Sequence, residues 1–305
     1  MITNTHTIRR LKKGVRHPHF VAQHFNSMYY RRRYNGYDSS GIDCIQQDWD
    51  NLIILDACRF DAFKQANTID GRISKKRLKA STTVGFIETQ FCNRDLTDTI
   101  YVTANPQINW ESLEDSVRFH DIIHVWKGDG WDEDLQSVPP GTMVDSAVQA
   151  LSNYPEKRLI IHFLQPHCPF IGQFGQNKLP DSNLDFWPRV VKGEVEVSDA
   201  DLLKAYHENL EIVLRAVTEL VESLRGKTIV TADHGQIIGT RTSPIPIREY
   251  GHPRTTYIDE LVTVPWLELP TTTRRSIVAE KPVPEASQTR ASCVEERLSQ
   301  LGYQI

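Results

Sequence analysis

NLIILDACRFD, residues 51–61, is the stretch whose reading decides the fold. Asn51 to Leu55 form a short apolar run that stops at Asp56. Apolar side chains without polar alternation suit a strand covered on both faces, as in a parallel sheet. Residues 59–68 have the spacing of a following helix. The same alternation recurs outward from this unit. Strands are expected over 98–105 (DTIYVTAN), 121–126 (DIIHVW), 158–165 (RLIIHFLQ), within 227–235 (KTIVTADHG) and over 263–269 (TVPWLEL). Helices are expected over 81–92, entered through Ser81, Thr82 and Thr83, and over 141–154. The clearest helix runs from about Ser198 to Leu224, with Leu203, Tyr206, Leu210, Val213, Val217, Leu220, Val221 and Leu224 along one stripe. Ser198 and Asp199 suit its N-cap, and Arg225 and Gly226 its end. Strands alternating with helices predict an α/β fold: a mostly parallel central sheet with helices on both faces, three layers in all.

This body spans residues 49–270 as one catalytic-size domain. Residues 1–48 read as a basic, aromatic N-terminal extension, with Arg9, Arg10, Lys12, Lys13 and Arg16 in one cluster and Arg31, Arg32 and Arg33 in another. Such an arm either contacts an anionic lipid, glycan or nucleic acid, or lies solvated on the domain surface. Residues 271–305 read as a loose tail ending in a short helix near 293–301. The formal net charge of −4 argues against a nucleic-acid binder as a whole. No apolar run approaches the length of a membrane span, and the basic N-terminus has no apolar segment of a secretory signal after it. Cys44, Cys58, Cys92, Cys168 and Cys293 are odd in number and form no CxxC pair, so free thiols and a cytoplasmic location are expected.

In open α/β sheets, ligands bind beyond the carboxyl ends of strands. Asp56, His167 and the Asp233–His234 pair all fall at or just after predicted strand ends, and His252 follows in EYGHP. One strand-end Asp often only caps the next helix, and a lone loop His is usually solvated. Carboxylates and imidazoles gathered at equivalent topological positions suit a divalent metal, Zn²⁺ or Mn²⁺ first, Mg²⁺ or Ca²⁺ next. The hydroxyls of Ser81, Thr82 and Thr83 precede a helix. There a hydroxyl either caps the helix or, beside a metal, becomes a nucleophile.

NLIILDACRFD, the Ser/Thr cluster, HFLQPHCPF (162–170), TIVTADHG (228–235), EYGHP (249–253) and LVTVPWLEL (261–269) stand in the order found in the alkaline phosphatase superfamily. The chain resembles its sulfatase-like branch over roughly residues 51–268. That resemblance implies the three-layer fold of the family. It implies Asp56, Asp233 and His234 as metal ligands and Thr83 as nucleophile, with Thr82 next. His167 would contact the transferred group or the leaving oxygen, and His252 would complete a second metal site or touch the phosphate. Departures narrow this. No cysteine lies in Cys-x-Pro-x-Arg, which excludes a cysteine-derived sulfatase nucleophile. Gly85 stands where the family has Pro after the nucleophile, and the Asp-x-x-x-His pair of two-zinc phosphodiesterases is missing around His167, so one metal is the leading count.

The resulting expectation is a metal-dependent hydrolase or transferase. Thr83 attacks a phosphate-type ester, and His167 or His252 protonates the leaving oxygen. The partner would be a small-molecule, glycan-linked or lipid-linked phosphate or sulfate ester. The alternatives are a sulfatase using an unmodified hydroxyl, a phosphomutase, or a non-catalytic metal-containing protein that binds a polyanion. Phe170, Phe174, Phe186, Trp187 and Arg189, in the insertion 170–197, either form a lid or pack under a loop, and one of Arg241, Arg248 and Arg254 could pair with an anionic substrate.

Overall fold

The structure is a computed structural model, and it describes residues 18–183 and 186–282. Its strands are β1 (Asn51–Asp56), β2 (Arg72–Arg77), β3 (Asp95–Thr103), β4 (Arg118–His124), β5 (Arg158–Pro166), β6 (Thr228–Ala232), β7 (Ile237–Arg241), β8 (Arg248–Gly251) and β9 (Thr263–Glu268). Its helices are α1 (Pro18–Tyr34), α2 (Phe60–Ala66), α3 (Thr83–Gln90), α4 (Pro140–Asn153), α5 (Gln173–Lys178), α6 (Phe186–Lys192), α7 (Asp199–Ser223) and α8 (Asp259–Val262). A seven-stranded sheet has the order β2-β9-β6-β1-β5-β3-β4, and β7 and β8 form a separate hairpin.

β1 sits at the centre, and all its side chains are buried. It pairs in parallel with β5 from Asn51↔Leu159 and with β6 from Asn51↔Thr228. β3 and β4 continue the parallel array beyond β5. The expected parallel sheet is therefore present, with one departure. β9 runs antiparallel to β6 and to β2. The crossovers β1→β2, β4→β5 and β5→β6 run one way across the sheet, and β2→β3 runs the other. Right-handed connections then put α2, α4 and α7 on one face and α3 on the opposite one. α7 starts at an N-cap Ser198 that accepts a hydrogen bond from the Asp201 N–H. It buries Leu202, Tyr206, Leu210, Val213, Val217 and Leu220, close to the stripe read from the sequence.

Residues 18–48, set apart as an extension by composition, pack against the domain. Cys44, Ile45 and Trp49 belong to the main core. α1 docks through the buried Tyr30 and Asn26. Tyr30 packs beside the Tyr34–Tyr257 pair and bonds the Ser243 hydroxyl at 3.0 Å. Asn26 Nδ2 donates to Thr242 Oγ1 and to the Ile245 carbonyl, and Asn26 Oδ1 accepts from the Ile245 N–H at 2.8 Å. Asn26→Ala strands these partners, so we expect a loss of about 1–2 kcal/mol in urea unfolding. Unchanged stability would mean that Asn26 contributes no docking energy. The Arg9–Arg16 cluster lies outside the described residues, as does the expected helix near 293–301.

The described part of the tail, 271–282, has no regular structure but is tied down. Arg274 pairs with Asp48 and Asp50, and Arg275 donates to the Asp50 carbonyl and Asn51 Oδ1. Lys157 holds Glu280 at 2.7 Å. The tail thus crosses the amino ends of the central strands, opposite the end where ligands bind. In the insertion, Phe170, Phe186 and Trp187 are buried edge to face against one another. These three pack under the loop, while Phe174 and Arg189 are half-buried.

Candidate metal and transfer site

The carboxyl ends of neighbouring strands β1 and β6 deliver Asp56 and the Asp233–His234 turn to one point. One ligand atom from each of Asp56, Asp233 and His234 lies within 4.8 Å of the others, and all three residues are buried. The turn after β1 is made by Ala57, a non-glycine residue at φ 60°. Left-handed backbone costs about 1 kcal/mol or more, and such strain persists only where its surroundings impose it. Here the Ala57 N–H donates to Asp233 Oδ1 at 3.1 Å and its carbonyl accepts from the Tyr206 hydroxyl at 2.8 Å. Gly235 is required by its surroundings rather than by its backbone angle, since a Cβ there would sit 2.0 Å from the Glu260 carbonyl oxygen.

The hydroxyl cluster resolves by position. Thr82 is the N-cap of α3, and its Oγ1 accepts the Gly85 N–H at 3.2 Å. Thr83, one residue on, turns its hydroxyl inward. Its Oγ1 donates to Asp233 Oδ2 at 2.6 Å and lies 3.2 Å from His234 Nε2 and 3.5 Å from Asp56 Oδ2. Ser81 is buried.

The donor set can be tested for a cation from its own hydrogen bonds. His234 Nδ1 donates to the Gly235 carbonyl at 2.7 Å, so Nε2 is the nitrogen left to face the carboxylates. It lies 3.4 Å from Asp56 Oδ1 and 3.6 Å from Asp233 Oδ2. Asp56 Oδ1 is buried with no hydrogen-bond partner. Two buried carboxylates, one with an unpartnered oxygen, call for positive charge between them. Two carboxylates, an imidazole nitrogen and a hydroxyl fit Zn²⁺ or Mn²⁺. The electrostatics agree. Burial and the neighbouring Asp233 push the Asp56 carboxyl well above the usual range. Burial acts the same way on Asp233, but His234, His162 and Thr83 outweigh it and hold Asp233 below that range.

His167 and His252 come near this group without joining it. The His252 ring lies 4.5 Å from that of His234 and 5.0 Å from that of His167. His167 Nδ1 donates to the Cys168 carbonyl, and His252 Nδ1 donates to Gln236 Oε1 at 3.2 Å. Burial pushes His167 down to about 4, with His234 assisting. Burial, His234 and His167 push His252 well below its usual value. With Nδ1 committed in both, Nε2 is the nitrogen left for a metal ligand or for proton transfer.

The structure adds residues that the sequence did not single out. Asn105, at the end of β3, donates from Nδ2 to Asp56 Oδ2 at 2.6 Å. His162, in the middle of β5, accepts the Tyr101 hydroxyl on Nδ1 at 2.7 Å and faces Asp233 Oδ2 across 3.6 Å. A polar residue at the end of DTIYVTAN and a His inside an apolar run were the available signals. Asn105→Ala frees the Asp56 oxygen it orients, so affinity for Zn²⁺ or Mn²⁺ should fall by about 10–100-fold, read by equilibrium dialysis. Unchanged affinity would make Asn105 a packing residue only.

Of the remaining candidates, Arg248 pairs with Asp199, Arg241 donates to the Pro246 carbonyl, and Arg254 lines a cavity beside Thr82. Among the described residues no helix is long and apolar enough to cross a membrane.

No protein-family model and no curated protein matches the sequence. Among solved structures the chain is similar to the C-terminal periplasmic domain of EptC from Escherichia coli in complex with zinc, at 12% identity and a TM-score of 0.44, over 75% of each chain. It is similar to the integral membrane lipooligosaccharide phosphoethanolamine transferase EptA from Neisseria meningitidis, at 11% identity and a TM-score of 0.46, over 72% of this chain and 47% of that one. It is also similar to a protein in the alkaline phosphatase superfamily from Vibrio parahaemolyticus, at 11% identity and a TM-score of 0.42, over 85% and 71%. With its order of motifs, its mostly parallel sheet and its strand-end cluster, the chain resembles the alkaline phosphatase superfamily.

Proposed function

We propose that this chain is a metal-dependent hydrolase or transferase that acts on phosphate-type esters through Thr83. The observation that carries this reading is the Thr83 hydroxyl, placed within 3.5 Å of Asp56, Asp233 and His234 at the carboxyl end of the sheet. Asp56, Asp233 and His234 would hold the metal, with Thr83 beside it and His252 on its flank. When bound, the metal supplies a lowered pKa for the hydroxyl and neutralises charge on the phosphoryl oxygens.

The chain's own groups do the rest. Asp233 orients Thr83, so that one Oγ1 lone pair is free for attack. The Oγ1–P bond forms as the ester P–O bond breaks, and the leaving alcohol gains one proton while Thr83 gives one up. The start of α3 follows the nucleophile directly, where N–H groups favour the transferred group's negative charge. Water or a second alcohol then attacks phosphorus and restores the Thr83 hydroxyl. His167 or His252 carries the proton through Nε2, giving it to the leaving oxygen and taking it back from that incoming group. Water makes the chain a hydrolase and an alcohol makes it a transferase.

The test is metal analysis of the purified protein, then aryl phosphate monoesters, diesters and sulfates offered with Mn²⁺, Zn²⁺ or Mg²⁺. Metal-dependent release from a phosphate ester is expected. Turnover of the sulfate alone would replace the reading with that of a hydroxyl-based sulfatase. Bound metal without turnover of any ester would leave a non-catalytic binding protein.

A further inference from the structure

α1 has two faces of different character. Asn26, Tyr30 and Tyr34 lie on the side that meets the domain, where both tyrosines pack with Tyr257 and Asn26 bonds Thr242 and Ile245. On a helix of 3.6 residues per turn, Val21, Phe25, Met28 and Arg32 fall on the opposite side, at intervals of four, three and four. There Val21, Phe25, Met28 and the neighbouring Tyr29 are 41%, 54%, 36% and 40% exposed. Among the described residues, five of the seven large apolar side chains left exposed lie between Val21 and Tyr37. The exposure is therefore concentrated on one element rather than scattered over the surface.

The charge on this face has one sign. Arg31, Arg32 and Arg33 end the helix and are all exposed. Arg33 donates to the Tyr29 hydroxyl at 2.9 Å, a neutral partner that leaves its charge in place. Among the described residues no carboxylate pairs with any of the three. Residues 1–37 hold eight Lys and Arg and no Asp or Glu, in a chain whose net charge is −4. A second copy of α1 laid on the stripe would bring no acid to these arginines, and neither would residues 1–17. The complement of an apolar stripe that ends in unpaired arginines is a surface with anions over an apolar interior.

We propose that α1 binds the surface of an anionic lipid bilayer. Val21, Phe25, Met28 and Tyr29 enter the boundary between headgroups and acyl chains, and Arg31, Arg32 and Arg33 meet the lipid phosphates and carboxylates. A helix with an apolar stripe and a basic cluster lies in the plane of that boundary and does not cross it. Tyrosine suits the boundary, with its ring in the apolar layer and its hydroxyl in water. The opposite face keeps its bonds through Asn26 and Tyr30, so the contact needs no release of the helix from the domain. Nothing in this inference depends on the reaction at Thr83.

The test is sedimentation of the full-length protein with vesicles of phosphatidylcholine, made with and without phosphatidylserine. Binding to the phosphatidylserine vesicles, weakened by salt, is expected, with little on phosphatidylcholine alone. Arg31→Gln, Arg32→Gln and Arg33→Gln together should weaken it on the order of 100-fold, roughly fivefold for each charge. Phe25→Ser with Met28→Ser should weaken it roughly tenfold or more. Phe25→Trp should add a fluorescence component that shifts to the blue on the phosphatidylserine vesicles. Circular dichroism checks that the variants fold, and every substituted side chain is exposed. Binding to neither vesicle, equal binding to both, or no blue shift from Phe25→Trp would overturn the proposal. Binding that falls with the arginines but not with Phe25→Ser and Met28→Ser would make this face a contact for a soluble polyanion. Self-association of the free protein that the same pair abolishes would assign the stripe to a second copy. Either result would also overturn the bilayer contact.

Discussion

Thr83→Ala should abolish ester turnover, by on the order of 10⁴-fold or more, while the protein keeps its metal. Two facts separate these effects. The hydroxyl is buried and makes its 2.6 Å bond to a carboxylate that other groups also hold. Asp56, Asp233 and His234 are anchored independently of it, by Asn105, by the Ala57 N–H and by the Gly235 carbonyl. Metal binding can therefore be read on its own as a rise in melting temperature on adding Mn²⁺ or Zn²⁺. At a thousandfold excess over its dissociation constant, a ligand stabilises by about 4 kcal/mol, a shift of several degrees for a chain of this size. The variant should show that rise with almost no turnover. Full activity would remove Thr83 from the chemistry. Thr82→Ala should instead affect stability, because Thr82 Oγ1 caps α3.

The second expectation concerns the apo protein as well as the loaded one. Asp233→Asn should cost more than about 100-fold in metal affinity, beyond the effect of losing an outer contact, and should remove the metal-dependent rise in melting temperature. Without metal, the same substitution should make the protein melt below the wild type, because the fold holds the Asp233 carboxylate below its usual range and Thr83, Ala57 and His234 all donate to it. A metal-free variant at least as stable as the metal-free wild type would contradict this account and would mean that repulsion between the buried Asp56 and Asp233 dominates.

These predictions rest mostly on features legible in the sequence. β1, β5 and β6 could be read because a strand buried on both faces needs a continuous apolar run, and few other segments carry one. Asp56, Asp233 and His234 could be read as a group because strand ends in such a sheet point to one edge, and Thr83 was singled out from its hydroxyl cluster only by the resemblance to the alkaline phosphatase superfamily. β2 could not. Its RISKKR sequence has no apolar face, since it is an edge strand with mostly exposed side chains. α1 was hidden for a related reason. It docks through Asn26, Tyr30 and hydrogen bonds, and its outer face carries exposed Val21, Phe25, Met28 and Tyr29, so no stripe marks the buried side. Asn105 acts on Asp56 across 49 residues of chain. No local pattern encodes a contact of that kind, and only the folded sheet brings the two strand ends together.

The central position of β1 has a consequence for how the molecule comes into being. Asn51 reaches its partner Thr228 across 177 residues. Of the described strands, β1 is made first, and it waits with both edges unpaired until β5 and then β6 have been made. Contacts so distant in sequence form slowly, and an apolar strand with open edges is a template for the wrong neighbour in the meantime. Asp56 meets Asp233 only at the end of that wait. A cation that bridges them would find its site only once β6 has joined β1, and metal supply during synthesis should then raise the yield of folded chain as well as its activity.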